Sequence, residues 1–222
     1  TEYIPTPEHA EMMIYPRVLA LAEVAWSAPS KKNYEDFHVR ALKAVEELKK
    51  SGYNPFELKN EIGNRPGADK PVEHLAVGKK VTYGLDAAYY PGYAAGGDTA
   101  LVDGVRGGWT YGDKRWQGFI DKKRMDITID LEKETELHFI GADFMQVCGP
   151  EVFMPAEVII SISDDGKDFT ELKHIEHKVV KDDKVTFTNF GWEGNAKGRY
   201  VRYQATSGEF GGFLFTDEVV IK

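Results

Sequence analysis

The stretch AEVIISISDDGKDF, residues 156–169, carries the clearest signal for the fold of this chain. β-Branched residues dominate 158–162, and such residues favour an extended strand. Asp165 and Gly166 follow directly, and an Asp-Gly pair between strand-like runs is a strong signal for a tight hairpin turn. The stretch therefore predicts an antiparallel β-hairpin.

The same strand pattern recurs through the part of the chain that follows Val77. Further segments that alternate or run apolar between turn signals are DITIDL (126–131), ELHFIGADF (136–144), KVTFTNF (184–190), RYVRYQAT (199–206) and DEVVIK (217–222). About eight short strands with no helices between them are typical of an antiparallel β-sandwich or jelly roll. The sequence therefore predicts a mainly β fold for this part.

Residues 1–52 follow a helical pattern instead. Thr6 and Asn33 are suitable N-caps for two helices, and Pro16 is expected to end or kink the first of them. The apolar residues between Ile14 and Trp26 leave almost no polar face, which is typical of a helix buried in a large core. This helix therefore needs a hydrophobic core to pack against, which the chain either supplies or has lost.

Three parts are predicted from these patterns. Residues 1–52 form a small helical part, and residues 76–222 form the β-sandwich. The intervening residues 53–75 are rich in glycine, proline, asparagine and charge, as expected for a linker or a draped connection.

Composition limits the class of partner. The chain has 222 residues and a formal net charge of -8, which argues against nucleic acid and anionic membrane surfaces as partners. No apolar run is long enough to span a bilayer, and no signal peptide is evident. The chain does not begin with Met, which suggests a cut or processed polypeptide, so its location is left open. Cys148, the single cysteine, is interpreted as a small buried residue.

Several spaced motifs after Val77 carry a family resemblance. The segments ALVDGVRGGW, RWQGF, DITIDLE, ISISDDGKDFTEL, GRYVRYQA and DEVVIK, in this order, resemble the discoidin-like fold of the factor five/eight C-type domain and of family 32 carbohydrate-binding modules. The resemblance implies a β-sandwich that binds carbohydrate. An alternative of another class is a structural module that packs on a catalytic barrel and binds no sugar.

The N-terminal segment TEYIPTPEHAEMMIYPRVLALAEVAWS resembles the end of the catalytic (β/α)8 barrel of family 20 glycoside hydrolases, the chitobiase-like β-N-acetylhexosaminidases. Glu2 matches the glutamate of the family's Trp-x-Glu motif, which holds sugar hydroxyls, and the tryptophan would precede Thr1. The family's catalytic Asp-Glu pair lies upstream of this segment. The resemblance implies that this chain alone has no catalytic residue, and that the parent enzyme is bacterial and periplasmic, cell-surface or secreted.

The resemblance to the carbohydrate-binding modules also implies a structural Ca²⁺ site. Asp103 and Glu218 match its two carboxylate ligands, and hard oxygen ligands suit Ca²⁺. By position, the carbonyl groups that would complete the shell are those of Ala100, Val105, Gly108 and Asp217. Val105 and Gly108 stand where the family usually has Asp or Asn and Thr, and the alternative is that Asp103 only caps its turn.

Sugar binding is predicted from aromatic and polar residues in glycine-rich loops. Carbohydrate modules stack an aromatic ring on the apolar face of a sugar and surround it with polar groups. The aromatic candidates are Trp109, Tyr111 and Trp192, and the polar candidates are Arg106 and Arg115. The expected ligands are glycans of the galactose or N-acetylhexosamine type. The alternative for each aromatic residue is a packing role, as expected for Trp116 and Phe213.

Overall fold

The structure is a computed structural model that describes residues 4, 6–58, 65, 67–68, 70–84, 89–120, 125–182 and 184–222. It divides the chain into two compact units, Thr1–Asn64 and Arg65–Lys222. The second unit thus begins ahead of residue 76, where the sequence placed the start of the sandwich. Each unit has a hydrophobic cluster of its own.

The first unit contains helices α1 (Pro7–Ile14), α2 (Arg17–Trp26) and α3 (Tyr34–Lys50). The predicted caps are confirmed, because Thr6 accepts a hydrogen bond from the backbone N–H of His9 and Asn33 accepts one from Asp36. Pro16 separates α1 from α2, as its missing N–H and fixed φ require.

The core of the first unit is small, and α2 has no buried residue. The buried apolar side chains of this unit among the described residues are Ala41, Val45 and Leu58. On α2, Leu21 is 67% exposed and Trp26 is 91% exposed. The apolar surface predicted for this helix is therefore largely uncovered by the described residues.

The described residues of the second unit form seven antiparallel strands, which confirms the predicted fold class. They are β1 (Lys80–Tyr83), β2 (Gln117–Ile120), β3 (Met125–Gln146), β4 (Pro155–Ser163), β5 (Thr170–Glu176), β6 (Thr186–Ser207) and β7 (Phe213–Ile221). Their order is β2-β7-β3-β6-β4-β5, with β1 also paired to β3. Two of them, β3 and β6, are 22 residues long, so the expectation of uniformly short strands is wrong.

The long strands β3 and β6 run through both layers of the sandwich. The first part of β3 pairs with β1 and the second part with β7, while β6 pairs with β3 along most of its length. The register shifts between Asp130 and Thr135, and Glu132 has a φ of 70°. This bulge bends the strand while the pairing resumes on its far side. Side chains from both parts of β3, such as Ile127 and Ile140, enter one core.

The hairpin that the opening stretch predicts is present. β4 and β5 pair antiparallel around residues 164–169, and Gly166 has a φ of 73°. The Asp165 carboxylate accepts hydrogen bonds from the backbone N–H groups of Lys167 and Asp168, at 2.8 and 3.0 Å. The turn is thus held by the residue types that identified it in the sequence.

Part of the predicted linker is bound into the second unit. The backbone N–H of Val72 donates to the carbonyl of Gly104, and that of Leu75 donates to the carbonyl of Ile221, both at 2.8 Å. Residues 72–75 therefore run beside the last strand, β7, and beside the loop that contains Gly104. Within the described residues, none of the helices has the length and apolar character needed to cross a membrane.

Candidate functional site

The loop Asp103–Gly108 is held by two neighbouring carboxylates of β7. The backbone N–H of Gly104 donates to Glu218 Oε1 at 2.9 Å, and that of Gly107 donates to Asp217 Oδ2 at 2.8 Å. Gly104 has a φ of 77°, which favours glycine at this turn. The sequence pattern Val-Asp-Gly is therefore tied to the strand that carries both acids.

Glu218 is the predicted cation ligand whose surroundings are described most fully. Its side chain is fully buried, and Oε1 also lies 2.6 Å from His74 Nε2. Among the described residues, the buried Oε2 has no hydrogen-bond partner. Burial raises the pKa of Glu218, the hydrogen bonds of His74 and Gly104 lower it in part, and the charge of Asp103 raises it further. A buried carboxylate oxygen without a donor, close to a second carboxylate, fits a divalent cation.

Two other predicted ligands of the Ca²⁺ site, the Asp103 carboxylate and the Gly108 carbonyl, already accept hydrogen bonds. Asp103 Oδ1 accepts the backbone N–H of Val105 at 2.8 Å, so Asp103 does cap its turn. The carbonyl of Gly108 accepts the indole N–H of Trp116 at 3.1 Å and is therefore directed to that ring. No group of three or more His, Cys, Asp or Glu side chains is arranged for a metal among the described residues. The predicted Ca²⁺ site has only two carboxylate ligands and several backbone carbonyls, so it differs from a group of three or more such side chains.

Arg65 is the centre of a second polar cluster. Its side chain is 5% exposed, and the guanidinium donates to Asp143, Asp217 and the carbonyl of Gly107. The guanidinium also lies 4.4 Å from the ring centroid of Trp116. Burial alone would lower the pKa of Arg65, but the two carboxylates outweigh this effect and raise it. The buried arginine is therefore charged and held in one position.

The Asp143 carboxylate joins this cluster to the solvent. Oδ2 accepts from the guanidinium groups of Arg65 and Arg106, and Oδ1 accepts from the Asn189 amide at 2.7 Å. Burial would raise the pKa of Asp143, but the Asn189 hydrogen bond and the two guanidinium charges outweigh it and hold the pKa below the ordinary value. The Asp143 and Arg106 side chains are 18% and 22% exposed, and Asn189 is exposed.

Trp109 is connected to this group through Phe187. The Trp109 ring centroid is 6.3 Å from that of Phe187, which in turn lies 5.3 Å from the Arg65 guanidinium. Two predicted residues, Arg106 and Trp109, are thus brought into one region with Asp143 and Asn189. We call these four residues the Asp143 surface.

Two glycines position the amide of this surface. Gly141 of β3 and Gly191 of β6 are direct partners in the sheet. A Cβ on either glycine would lie 2.9 Å from Asn189 Oδ1, which is closer than real Cβ contacts. The Asn189 side chain therefore lies over a strip of sheet that has no side chains of its own, and its amide is directed to Asp143.

Comparison with known families identifies the family of the chain. The model of the F5/8 type C domain matches residues 86–219. The chain belongs to the F5/8 type C domain family. The model of the glycosyl hydrolase family 20 catalytic domain matches residues 1–29, so both resemblances noted in the sequence are confirmed. The family-20 match covers α1 and α2 and ends before α3.

Solved structures similar to this F5/8 type C domain chain include carbohydrate-binding modules. CpGH89CBM32-6 of Clostridium perfringens is 17% identical with a TM-score of 0.45, and the match covers 68% of this chain and 98% of that one. CpGH89CBM32-5 of the same organism, in complex with GalNAc-β-1,3-galactose, is 17% identical with a TM-score of 0.43, covering 64% and 93%. A fucolectin from striped bass (Morone saxatilis) is 19% identical with a TM-score of 0.48, covering 67% and 48%.

The other predicted sugar-binding residues of this F5/8 type C domain lie elsewhere. Tyr111 stacks on Phe215 at 4.9 Å, and burial raises its pKa, so its ring is part of a packed cluster. The prediction that Trp192 lies in a glycine-rich loop is wrong, because Trp192 lies within β6 opposite Ile140 and packs against the main core. The glycine residues near it are typical of a loop, but the strand pairing continues through them.

Two predicted residues are not part of the Asp143 surface. Arg115 is exposed and donates to the carbonyl of Ala68 at 3.3 Å. Glu2 lies outside the described residues. The sequence did not identify Arg65, because it stands alone in a polar stretch and its partners are far away along the chain.

The F5/8 type C domain also presents an aromatic residue at another set of loops. Phe210 is 37% exposed, and the Lys181 ammonium lies 4.2 Å from its ring centroid. The buried Phe153 supports it at 5.5 Å. We call Phe210, Lys181 and Phe153 the Phe210 shelf, and it provides an exposed ring against which the Asp143 surface can be tested.

Proposed function

We propose that the second unit binds glycans of the galactose or N-acetylhexosamine type at the Asp143 surface. The observation that carries this proposal is the convergence of the Arg106 guanidinium, the Asp143 carboxylate and the Asn189 amide beside Trp109. Solved neighbours add support from their own ligands, which include GalNAc-β-1,3-galactose for one module and Lewis b for another. A third neighbour is described as a fucose-binding module.

The chemistry of the surface suits a sugar. Each sugar hydroxyl can donate and accept, so a binding site needs both kinds of group close together. Arg106 and Asn189 supply donors, Asp143 supplies acceptor oxygens, and Trp109 supplies an aromatic ring for the apolar face of a pyranose. A surface with one aromatic ring and three polar side chains offers few contacts, so we expect dissociation constants of roughly millimolar order.

The test is titration of the chain with galactose and with N-acetylgalactosamine, followed by nuclear magnetic resonance. Trp109→Ala and Arg106→Met should each reduce the affinity at least about tenfold, which corresponds to about 1.4 kcal/mol. Phe210→Ala is the matched control, because it removes an exposed aromatic ring outside the Asp143 surface.

Two results would contradict this proposal in different ways. Loss of binding in Phe210→Ala with retention in Trp109→Ala would move the site to the Phe210 shelf. Absence of binding by the unsubstituted chain, with calcium present, would favour a structural module. That alternative has a specific basis, since the charged groups of the Asp143 surface already pair with one another.

The cation proposed for this domain is Ca²⁺, held by Asp103 and Glu218 with the carbonyls of Ala100, Val105 and Asp217. The Oε2 atom of Glu218, which has no hydrogen-bond partner in the part of the chain that the structure describes, supports this proposal. A bound divalent ion would neutralise the carboxylates of Asp103 in the loop and of Glu218 on β7. The loop that carries Asp103 is already held in place without the ion, because Glu218 accepts a hydrogen bond from the backbone N–H of Gly104.

For the first unit, we propose a role as the last part of a family 20 catalytic barrel, and for the parent enzyme the activity of a β-N-acetylhexosaminidase. The match of residues 1–29 and the exposed apolar side chains of α2 support this origin. The chain alone should then release no nitrophenol from nitrophenyl N-acetylglucosaminide. Turnover that persists on purification and disappears in Glu2→Gln would contradict this expectation.

A further inference from the structure

We propose that Arg65 is the positioning residue for the Asp143 surface, an inference that rests on the proposed carbohydrate-binding function. Arg65 lies outside residues 86–219, the range matched by the family model. Its side chain nevertheless reaches the centre of the polar cluster in the second unit. The binding surface of this chain therefore depends on a residue that precedes the matched domain.

Arg65 fixes Arg106 in two ways. The Arg65 guanidinium donates to the carbonyl of Gly107, the residue next to Arg106, and so holds the backbone from which the Arg106 side chain extends. It also donates to Asp143 Oδ2 at 2.8 Å, the same oxygen that Arg106 contacts. Both the start of the Arg106 side chain and its partner oxygen are therefore set by Arg65.

The guanidinium of Arg65 is suited to this role by its shape. It is planar and donates in several fixed directions, so one group contacts Asp143, Asp217 and a carbonyl at once. Its face lies over Trp116 at 4.4 Å, which prevents rotation of the plane. A lysine ammonium at this position keeps the charge, but it has neither the fork nor the flat face.

Loss of the guanidinium should displace Arg106. Asp217 is fully buried and needs a cation, because an unpaired buried carboxylate is costly. When Arg65 no longer serves both carboxylates, we expect Arg106, which already contacts Asp143, to be drawn inward to them. The donor that faces a sugar hydroxyl is then lost without any change in the residues that touch the sugar.

The test compares Arg65→Lys with Arg199→Lys in the full chain. Arg199 also binds a carboxylate, that of Asp130 at 2.8 and 2.9 Å, but it belongs to another part of the sheet. The first readout needs no sugar: the side-chain N–H signals of Arg106 and Asn189 in nitrogen-15 spectra should move in Arg65→Lys and stay unchanged in Arg199→Lys. The second readout is affinity for N-acetylgalactosamine, which should fall about tenfold in Arg65→Lys.

A double substitution separates positioning from a general structural effect. If Arg65 acts through Arg106, Arg65→Lys should lower the affinity no further in an Arg106→Lys background. Additive losses in the double variant, or unchanged Arg106 and Asn189 signals in Arg65→Lys, would overturn the inference. If Arg65→Lys does not fold, the same comparison is made in Asp217→Asn, where the fully buried carboxylate is gone and the ammonium faces only the half-buried Asp143. Moved signals in a chain that binds no sugar would contradict the proposed function and still support the positioning of Arg106.

Discussion

The cation site gives the sharpest prediction, through the substitution Glu218→Gln. Glutamine keeps the shape of the side chain and an oxygen that can accept from Gly104 and His74. It removes the charge from a fully buried group whose Oε2 has no partner among the described residues. The substitution should therefore change the response to calcium more than it changes the fold.

The expected changes in stability follow from comparing the site with and without bound calcium. Calcium at a concentration of 100 times its Kd stabilises the folded protein by about 2.7 kcal/mol. For a domain of this size, about 1 kcal/mol corresponds to about 2–4 °C, so calcium should raise the Tm by about 5–10 °C. Without calcium, Glu218 carries the cost of an unsatisfied buried oxygen, about 1–3 kcal/mol. Glu218→Gln removes the charge but places a buried amide NH₂ group at the position of Oε2, where no partner lies among the described residues, so without calcium its stability should be close to that of the unsubstituted chain.

The assay is thermal unfolding of both chains in chelator, in calcium and in magnesium. The unsubstituted chain should gain stability in calcium, and Glu218→Gln should gain none. Glu209→Gln serves as the control, since Glu209 is an exposed glutamate in the loop before β7. An unchanged Tm of the unsubstituted chain in chelator and in calcium would refute the reasoning, as would a calcium response that survives in Glu218→Gln.

Three further predictions concern the second unit. Gly191→Ala should destabilise it by about 1–3 kcal/mol in urea unfolding, because the new Cβ lies 3.1 Å from the backbone carbonyl oxygen of Ile140 as well as 2.9 Å from the Asn189 amide oxygen, whereas Gly149→Ala should cost little because it meets no atom within 4 Å. The pKa of Asp143 is lowered from its ordinary value of 3.8, so the hydrogen bonds and ion pairs of its charged carboxylate stabilise the fold above pH 3.8. This stabilisation is lost as the pH falls through the lowered pKa of the folded state. Asp143→Asn should remove this part of the acid transition, measured as the free energy of unfolding against pH. Tyr203→Phe should cost about 1–2 kcal/mol in the same urea assay, because the buried hydroxyl donates to the carbonyl of Phe190 at 2.8 Å, and a cost near zero would contradict that bond.

Local chemistry made much of the fold predictable. The Asp165-Gly166 turn and the caps at Thr6 and Asn33 depend on neighbours within a few residues, and each was identified from the sequence. The continuity of β3 was not identified, because the charged residues around Glu132 have the composition of a turn. Pairing with β6 resumes at Thr135 and keeps this segment in the sheet.

The candidate site was predictable only where its residues are close in sequence. Arg106 and Trp109 belong to one glycine-rich loop, and that loop was recognised. Asp143 and Asn189 come from separate strands, and the sheet register alone places them opposite each other. Arg65 lies 78 positions from Asp143, so no local pattern could indicate their contact.

The shared strands β3 and β6 have a consequence for how strictly this sheet must be aligned. A shift of one residue in a β-pair turns each side chain to the opposite face of the sheet. Because β3 and β6 pair on both sides of the bulge near Glu132, such a slip would expose Ile127 in one layer and Ile140 in the other at the same time. It would also separate Asp143 from Asn189. Correct alignment of this one pair of strands thus decides the core and the candidate binding surface together.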